Sequence, residues 1–169
     1  MLRKLILFFI FVISFALQST VFQYISIMGI KPNLMLILII SISLLKDKKV
    51  GGYVGLSAGL LQDILFGNVI GINGLIYFLI GYTVGLFNGS MFKGNPLVPF
   101  LVTFISTIFS NIMYFIFYYF SSADITFVRM LTNIALIEAI YNSILSVFIF
   151  ILIRRLYTAP KLSFVKRRR

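Results

Sequence analysis

Residues 51–89, GGYVGLSAGLLQDILFGNVIGINGLIYFLIGYTVGLFNG, gather ten of the chain's twelve glycines inside an otherwise apolar stretch. Gly51, Gly55 and Gly59 recur every fourth residue and so share one ridge of a helix, with Asp63 on the next step and Gly67 beyond it. Gly81, Gly85 and Gly89 repeat the spacing downstream, and Gly71 lies between the two rows. Ridges nearly bare of side chains let backbones approach closely, as small-residue motifs do between helices in lipid. The pattern predicts two helical passes joined by a tight turn, with Gly51, Gly55, Gly59, Gly67, Gly71, Gly81 and Gly85 serving helix packing. Asp63 stands apart, because an ionisable side chain in a lipid-embedded helix costs about 2.5–3.5 kcal/mol on insertion scales. A neighbouring group that offsets this cost is expected.

A chain with 60% apolar residues and four acidic side chains cannot cover an aqueous surface with polar groups. Its apolar residues come in long continuous runs rather than alternating ten-residue segments, which predicts an all-α integral membrane protein of one domain and not a barrel. Cys and His are missing. Disulfides and thiol chemistry are thereby excluded, a metal cage is not expected from four scattered acids, and no cofactor is expected. A formal charge of +11 would point to nucleic acid in a soluble protein. Here the basic residues sit at the ends of apolar runs, so membrane orientation explains them and no nucleic-acid partner is expected.

Six passes account for the sequence: Leu5 to Ile27, Pro32 to Leu45, Val50 to Phe66, Val69 to Phe87, Pro96 to Phe120 and Val128 to Ile153. The first continues past a typical signal-peptide core without a convincing small-residue cleavage site, and reads as a retained span. The second and third are shorter than the roughly 20 residues of a full crossing. With both termini cytoplasmic, the inner side collects thirteen of the fifteen Lys and Arg, and only Lys31 and Arg129 fall outside. Five passes would divide the basic groups between the two sides, so the positive-inside rule favours six. Residues 1–157 then form the six-helix domain and 158–169 a basic cytoplasmic tail. Lys166, Arg167, Arg168 and Arg169 should lie on anionic lipid at about 1 kcal/mol of attraction each, or else meet a cytosolic protein. Asp124 is placed to cap the last helix.

Depth along each helix, at about 1.5 Å per residue, puts several polar side chains at one height in the outer half of the membrane. Gln18, Asp63 with its neighbour Gln62, Asn73, Asn111, Glu138 and Asn142 are the candidates for a pocket or partner-binding layer. Three arrangements fit. The side chains converge on a shared, outward-open pocket, or each bonds a neighbouring helix separately, or Asp63 reaches the outer interface. Two carboxylates at one level would not both ionise without Arg129 or a partner's cation nearby. On the pocket reading, Asp63→Leu should disturb function more than insertion, since removing a charge eases insertion. Without a Cys or His, and with lysines confined to interfaces, no nucleophile and base pair is available and an enzyme is not expected. The glycine rows lack the Gly-Lys-Ser or Gly-Lys-Thr of a phosphate loop.

Several stretches resemble one family. These are Gln18-Ser19-Thr20 late in the first helix, Lys31-Pro32-Asn33-Leu34 before the second, GLLQDILFGNVIGINGLIYFLIGYTVG from Gly59 to Gly85, and Tyr141-Asn142 in the last helix followed by Arg154-Arg155. Together they resemble the MreD family, the integral membrane members of the bacterial rod-shape system, over nearly the whole chain. Asn33 is a departure, because the family often carries Asp after the proline. The resemblance implies a non-enzymatic scaffold of peptidoglycan elongation that binds MreC, and through it the MreB filament, RodA and a class B penicillin-binding protein. It also implies six helices arranged as in the substrate-binding subunits of energy-coupling-factor transporters. In such a scaffold the pocket could hold a partner's transmembrane or juxtamembrane segment, with Asp63 or Glu138 accepting hydrogen bonds from it. A vitamin-type transporter subunit is the competing reading, for which an outward polar cavity in six helices is equally natural.

Overall fold

The structure is a computed structural model and describes residues 2–20, 24, 26, 29–67, 69–87, 95–120 and 134–158. Six α-helices and no β-strand make up the described residues: α1 (Leu2–Thr20), α2 (Leu34–Leu45), α3 (Lys48–Phe66), α4 (Ile72–Leu86), α5 (Leu97–Phe120) and α6 (Leu136–Thr158). Asp124, Arg129, Gly89 and the tail residues Lys166, Arg167, Arg168 and Arg169 lie outside the described residues, as do the roles expected of them.

The centre of the bundle is α2. Every residue from Leu34 to Leu44 is buried, and the helix touches all five others. A helix apolar on every side belongs inside a bundle, which accounts for its 12 residues. At about 18 Å it is a core strut and falls short of a full crossing. Its start is fixed by Asn33, whose side chain accepts from the Leu36 N–H at 3.0 Å. Asp47 does the same for α3, accepting from Val50 N–H at 3.1 Å after a connection of two residues.

α3 and α4 form the most intimate pair, and their glycines explain why. A Cβ on Gly51 would meet the Gly81 carbonyl, and one on Gly81 would meet that of Gly51. On Gly55 it would strike the Tyr77 carbonyl, and on Gly59 it would come within 2.7 Å of Gly74 Cα. A Cβ on Gly85 would press on the backbone of Lys48, 2.8 Å from its nitrogen. The two helices run antiparallel in this register with backbone on backbone, as the four-residue spacing predicts. Gly67 and Gly71 depart from the packing role expected of them. Gly67 follows the last residue of α3, where a Cβ would press on the backbone of Asp63. Gly71 takes φ +107°, a left-handed conformation that ends the turn, with nothing within 4 Å of a Cβ. This turn also corrects the predicted lengths: the third helix has 19 residues and the fourth only 15.

α1 ends earlier than its apolar run. Ser19 and Thr20 both donate their hydroxyls to the Ala16 carbonyl, at 3.0 and 2.6 Å, closing the last turn locally. α5 and α6 pack along a seam of small polar residues: Thr103, Ser106, Thr107, Ser110 and Asn111 on one helix, and Asn142, Ser143 and Ser146 on the other, are all buried. Ser146 donates to the Pro99 carbonyl across the seam at 3.1 Å. The outward faces carry Leu101, Ile105, Phe109 and Ile116, and Ile140, Ile144, Phe148 and Leu152. Polar inside and apolar outside, these two helices have spans of 21 and 22 residues long and apolar enough to cross a membrane. The α2–α3 corner, at the other end of α3 from the Gly67–Gly71 turn, is basic. There Lys46 lies 4.6 Å from the Tyr157 ring and Lys48 5.9 Å from the Tyr82 ring, tying the α2–α3 corner to α6 and α4.

Candidate functional site

Asp63, the acid the sequence isolates, is 1% exposed and fully engaged. Its carboxylate accepts from the Gly71, Asn73 and Gly74 backbone N–H groups at 2.9, 3.1 and 3.0 Å, and from Asn73 Nδ2 at 2.7 Å. The residue that begins α4, Gly71, has no side chain to cap the helix. Asp63 supplies that cap from the end of the preceding helix, and the positive helix terminus offsets its charge. Its oxygens are engaged by the start of the next helix, as in the arrangement where each polar group bonds a neighbouring helix separately.

A second polar group centres on Tyr77, which is wholly buried. Its hydroxyl receives a hydrogen bond from Asn33 Nδ2 at 2.7 Å and donates to Gln62 Oε1 at 3.2 Å. Asn33 donates its backbone N–H to Asn142 Oδ1 at 2.8 Å. Asn142 in turn donates through Nδ2 to Thr107 Oγ1 at 3.2 Å and to Glu138 Oε1 at 3.4 Å. Glu138 Oε2 accepts from Asn111 Nδ2 at 2.9 Å. Tyr114 joins the two groups, because its hydroxyl donates to Asn73 Oδ1 and lies beside the Tyr77 hydroxyl. Five elements are therefore cross-linked: α3, α4, α5, α6 and the start of α2.

Of the residues singled out in the sequence, Asn111, Glu138 and Asn142 meet directly, and Gln62 reaches them through Tyr77 and Asn33. Asp63 and Asn73 form their own cluster, connected among the described residues through Tyr114. Tyr77, Tyr114, Thr107 and Asn33 complete the network and were not among the expected site residues. Tyr77 lies one helical turn after Asn73, on the same face of α4, a spacing from which it could have been found. Asn33 contributes an amide donor that an Asp in its place would lack. Tyr77→Phe keeps the ring and removes the hydroxyl that links Asn33 to Gln62. In detergent micelles it should lower thermal stability by about 1–2 kcal/mol, and an unchanged melting curve would show that this link is idle.

Beside the network lies an open recess of about 630 Å³. Gln18 and Ser19 of α1, residues 29–33, Gln62 and Phe66 of α3, and Ile134 and Glu138 line it. Gln18 Oε1 is buried there without a hydrogen-bond partner. Phe15 stacks on Phe66 at 5.9 Å and holds α1 against α3 below the mouth. Lys31, at the rim, is exposed. Among the described residues no three His, Cys, Asp or Glu side chains come together in a way that could hold a metal ion. The chemistry the recess offers is charge and hydrogen bonding.

No curated protein and no solved structure matches the chain. Comparison with protein-family models matches residues 1–158 to the rod shape-determining protein MreD. The match spans all six helices and both polar clusters, and so covers the framework and the recess together. The chain belongs to the MreD family of membrane proteins that determine rod shape.

Proposed function

We propose that this protein is a non-enzymatic, multi-pass scaffold of the cell-wall elongation complex, which binds MreC directly and links the MreB cytoskeleton to peptidoglycan synthesis by RodA and a class B penicillin-binding protein. The observation that carries this reading is how the interior polar groups are used. Asp63, Asn73, Tyr77, Tyr114 and Asn142 bond one another and the backbone. Such a saturated network holds five elements in a fixed arrangement, as a platform for other membrane proteins requires. The apolar outward faces of α5 and α6 are suited to lipid or to a neighbour's transmembrane helix.

In this proposal all six helices lie in the bacterial cytoplasmic membrane, with both termini cytoplasmic. The basic corner, with Lys46 beside Tyr157 and Lys48 beside Tyr82, supports that orientation, and the recess then opens outward. The helices shorter than a crossing sit in the protein interior or in a locally thinned bilayer.

Depletion followed by imaging tests the proposal. Rods should become spheres, and tagged protein solubilised from the membrane should carry MreC with it in fixed ratio. Unaltered shape, or loss of MreC at the first wash, would count against it. The recess itself favours a second reading, a substrate-binding subunit of a vitamin-type transporter, since its volume suits a small molecule. Vitamin auxotrophy on depletion, or dependence on an ATPase module, would point there.

A further inference from the structure

The walls of the recess are rich in acceptors and short of donors. Each carboxylate oxygen of Glu138 accepts one amide N–H, from Asn142 and from Asn111, which leaves a lone-pair site on each. No cation lies within ion-pair reach of Glu138 among the described residues. Gln18 Oε1 is buried with no donor at all. A half-buried carboxylate with no counter-charge among the described residues and a buried amide oxygen without a hydrogen both raise the free energy of the site. The rim has the opposite sign, with the exposed ammonium of Lys31.

We propose that the recess binds a zwitterion that carries a primary ammonium and a phosphate, the chemistry of a phosphoethanolamine group. The ammonium enters between Glu138 and Gln18, where its three N–H donors meet the vacant lone pairs and its charge balances the carboxylate. The phosphate stays at the mouth against Lys31. A basic side chain from a partner protein fits less well, because it would satisfy Glu138 while placing a second cation beside Lys31. A choline group has the same charges, but its quaternary nitrogen has no N–H and cannot satisfy Gln18. Recognition therefore rests on hydrogen-bond count and not on charge alone. This inference is independent of the scaffold role, since a scaffold that fails to bind MreC could still hold the zwitterion.

The test uses the purified full chain in detergent micelles, with lipid retention read by native mass spectrometry. The probes are dioleoyl phosphatidylethanolamine, its N-methyl and N,N-dimethyl derivatives, and phosphatidylcholine. Retention should fall at each methylation and be at least tenfold lower for choline than for ethanolamine. Glu138→Gln should weaken retention of both lipids severalfold, Gln18→Leu should narrow the gap between them, and Lys31→Ala should weaken ethanolamine-lipid retention severalfold while leaving the order intact. Free O-phosphoethanolamine separates the sources. Displacement of the bound lipid at millimolar concentration identifies a soluble zwitterion, and no displacement identifies the lipid headgroup. Equal retention across the methylation series in the wild-type protein overturns the proposal and needs no variant to fold. So does a cross-link from Glu138 to a partner's Lys or Arg in a complex that shows no lipid preference.

Discussion

Asp63→Leu is expected to destabilise the fold, and to lower the amount of protein in the membrane before it touches any partner. The carboxylate accepts three backbone N–H bonds and one amide bond at the start of α4. Leucine leaves these donors unpaired in a site that is 1% exposed. At about 1–3 kcal/mol for each buried polar group left without a partner, the loss should be at least about 3 kcal/mol. Insertion gains from removing the charge do not offset this, because they act on an isolated helix and not on the α3–α4 turn. Charge removal alone led to the expectation that function would suffer more than insertion; the hydrogen bonds at the start of α4 put the loss of folding first. Asp63→Asn, which keeps one carbonyl oxygen, should fall between wild type and leucine. Thermal unfolding in detergent micelles, with protein level in isolated membranes, decides the matter. Wild-type stability of Asp63→Leu would show that the α4 cap is dispensable.

Gly55→Ala is expected to be the most damaging single-methyl change in the chain, worse than alanine at the strained Gly71. A Cβ at Gly55 would run into the Tyr77 carbonyl and lie 2.6 Å from its carbon, and peptide backbone in a helix cannot rotate aside as a side chain can. The two helices must separate along the whole row from Gly51 to Gly59, which also pulls Tyr77 away from Gln62. Overpacking of this kind costs about 1–3 kcal/mol, to which the weakened Tyr77 bonds add. At Gly71 the penalty is conformational only, roughly 1–2 kcal/mol for a left-handed residue with a side chain, because nothing lies within 4 Å of a Cβ there. Melting temperatures of the two variants, measured side by side, should rank Gly55→Ala below Gly71→Ala. The reverse order would mean that α3 and α4 have slack that the backbone contacts do not suggest.

These two cases mark how far the residues could be read unaided. The four-residue glycine spacing identified the α3–α4 pair and its turn, because a helix has a fixed period and a bare ridge has one evident use. Apolar runs located all six helices, since hydropathy is a property of each segment alone. Glu138, Asn111 and Asn142 were recognisable as a polar group from depth along their helices. The same arithmetic put Asp63 at their level, yet could not tell that its oxygens are claimed by residues 71–74. Depth fixes height in the bundle but leaves the direction of a side chain open.

The sequence by itself determined the class of the molecule, the helix pair that must touch and the residues too polar to face lipid, because each follows from local composition and period. Only the tertiary structure decided that α2 is the buried axis, that Tyr77 and Tyr114 join the polar clusters, and that Glu138 faces an open recess while Asp63 does not. Those outcomes depend on how helices are rotated about their own axes. Rotation is set by the sum of all contacts across the bundle, and no single segment carries it.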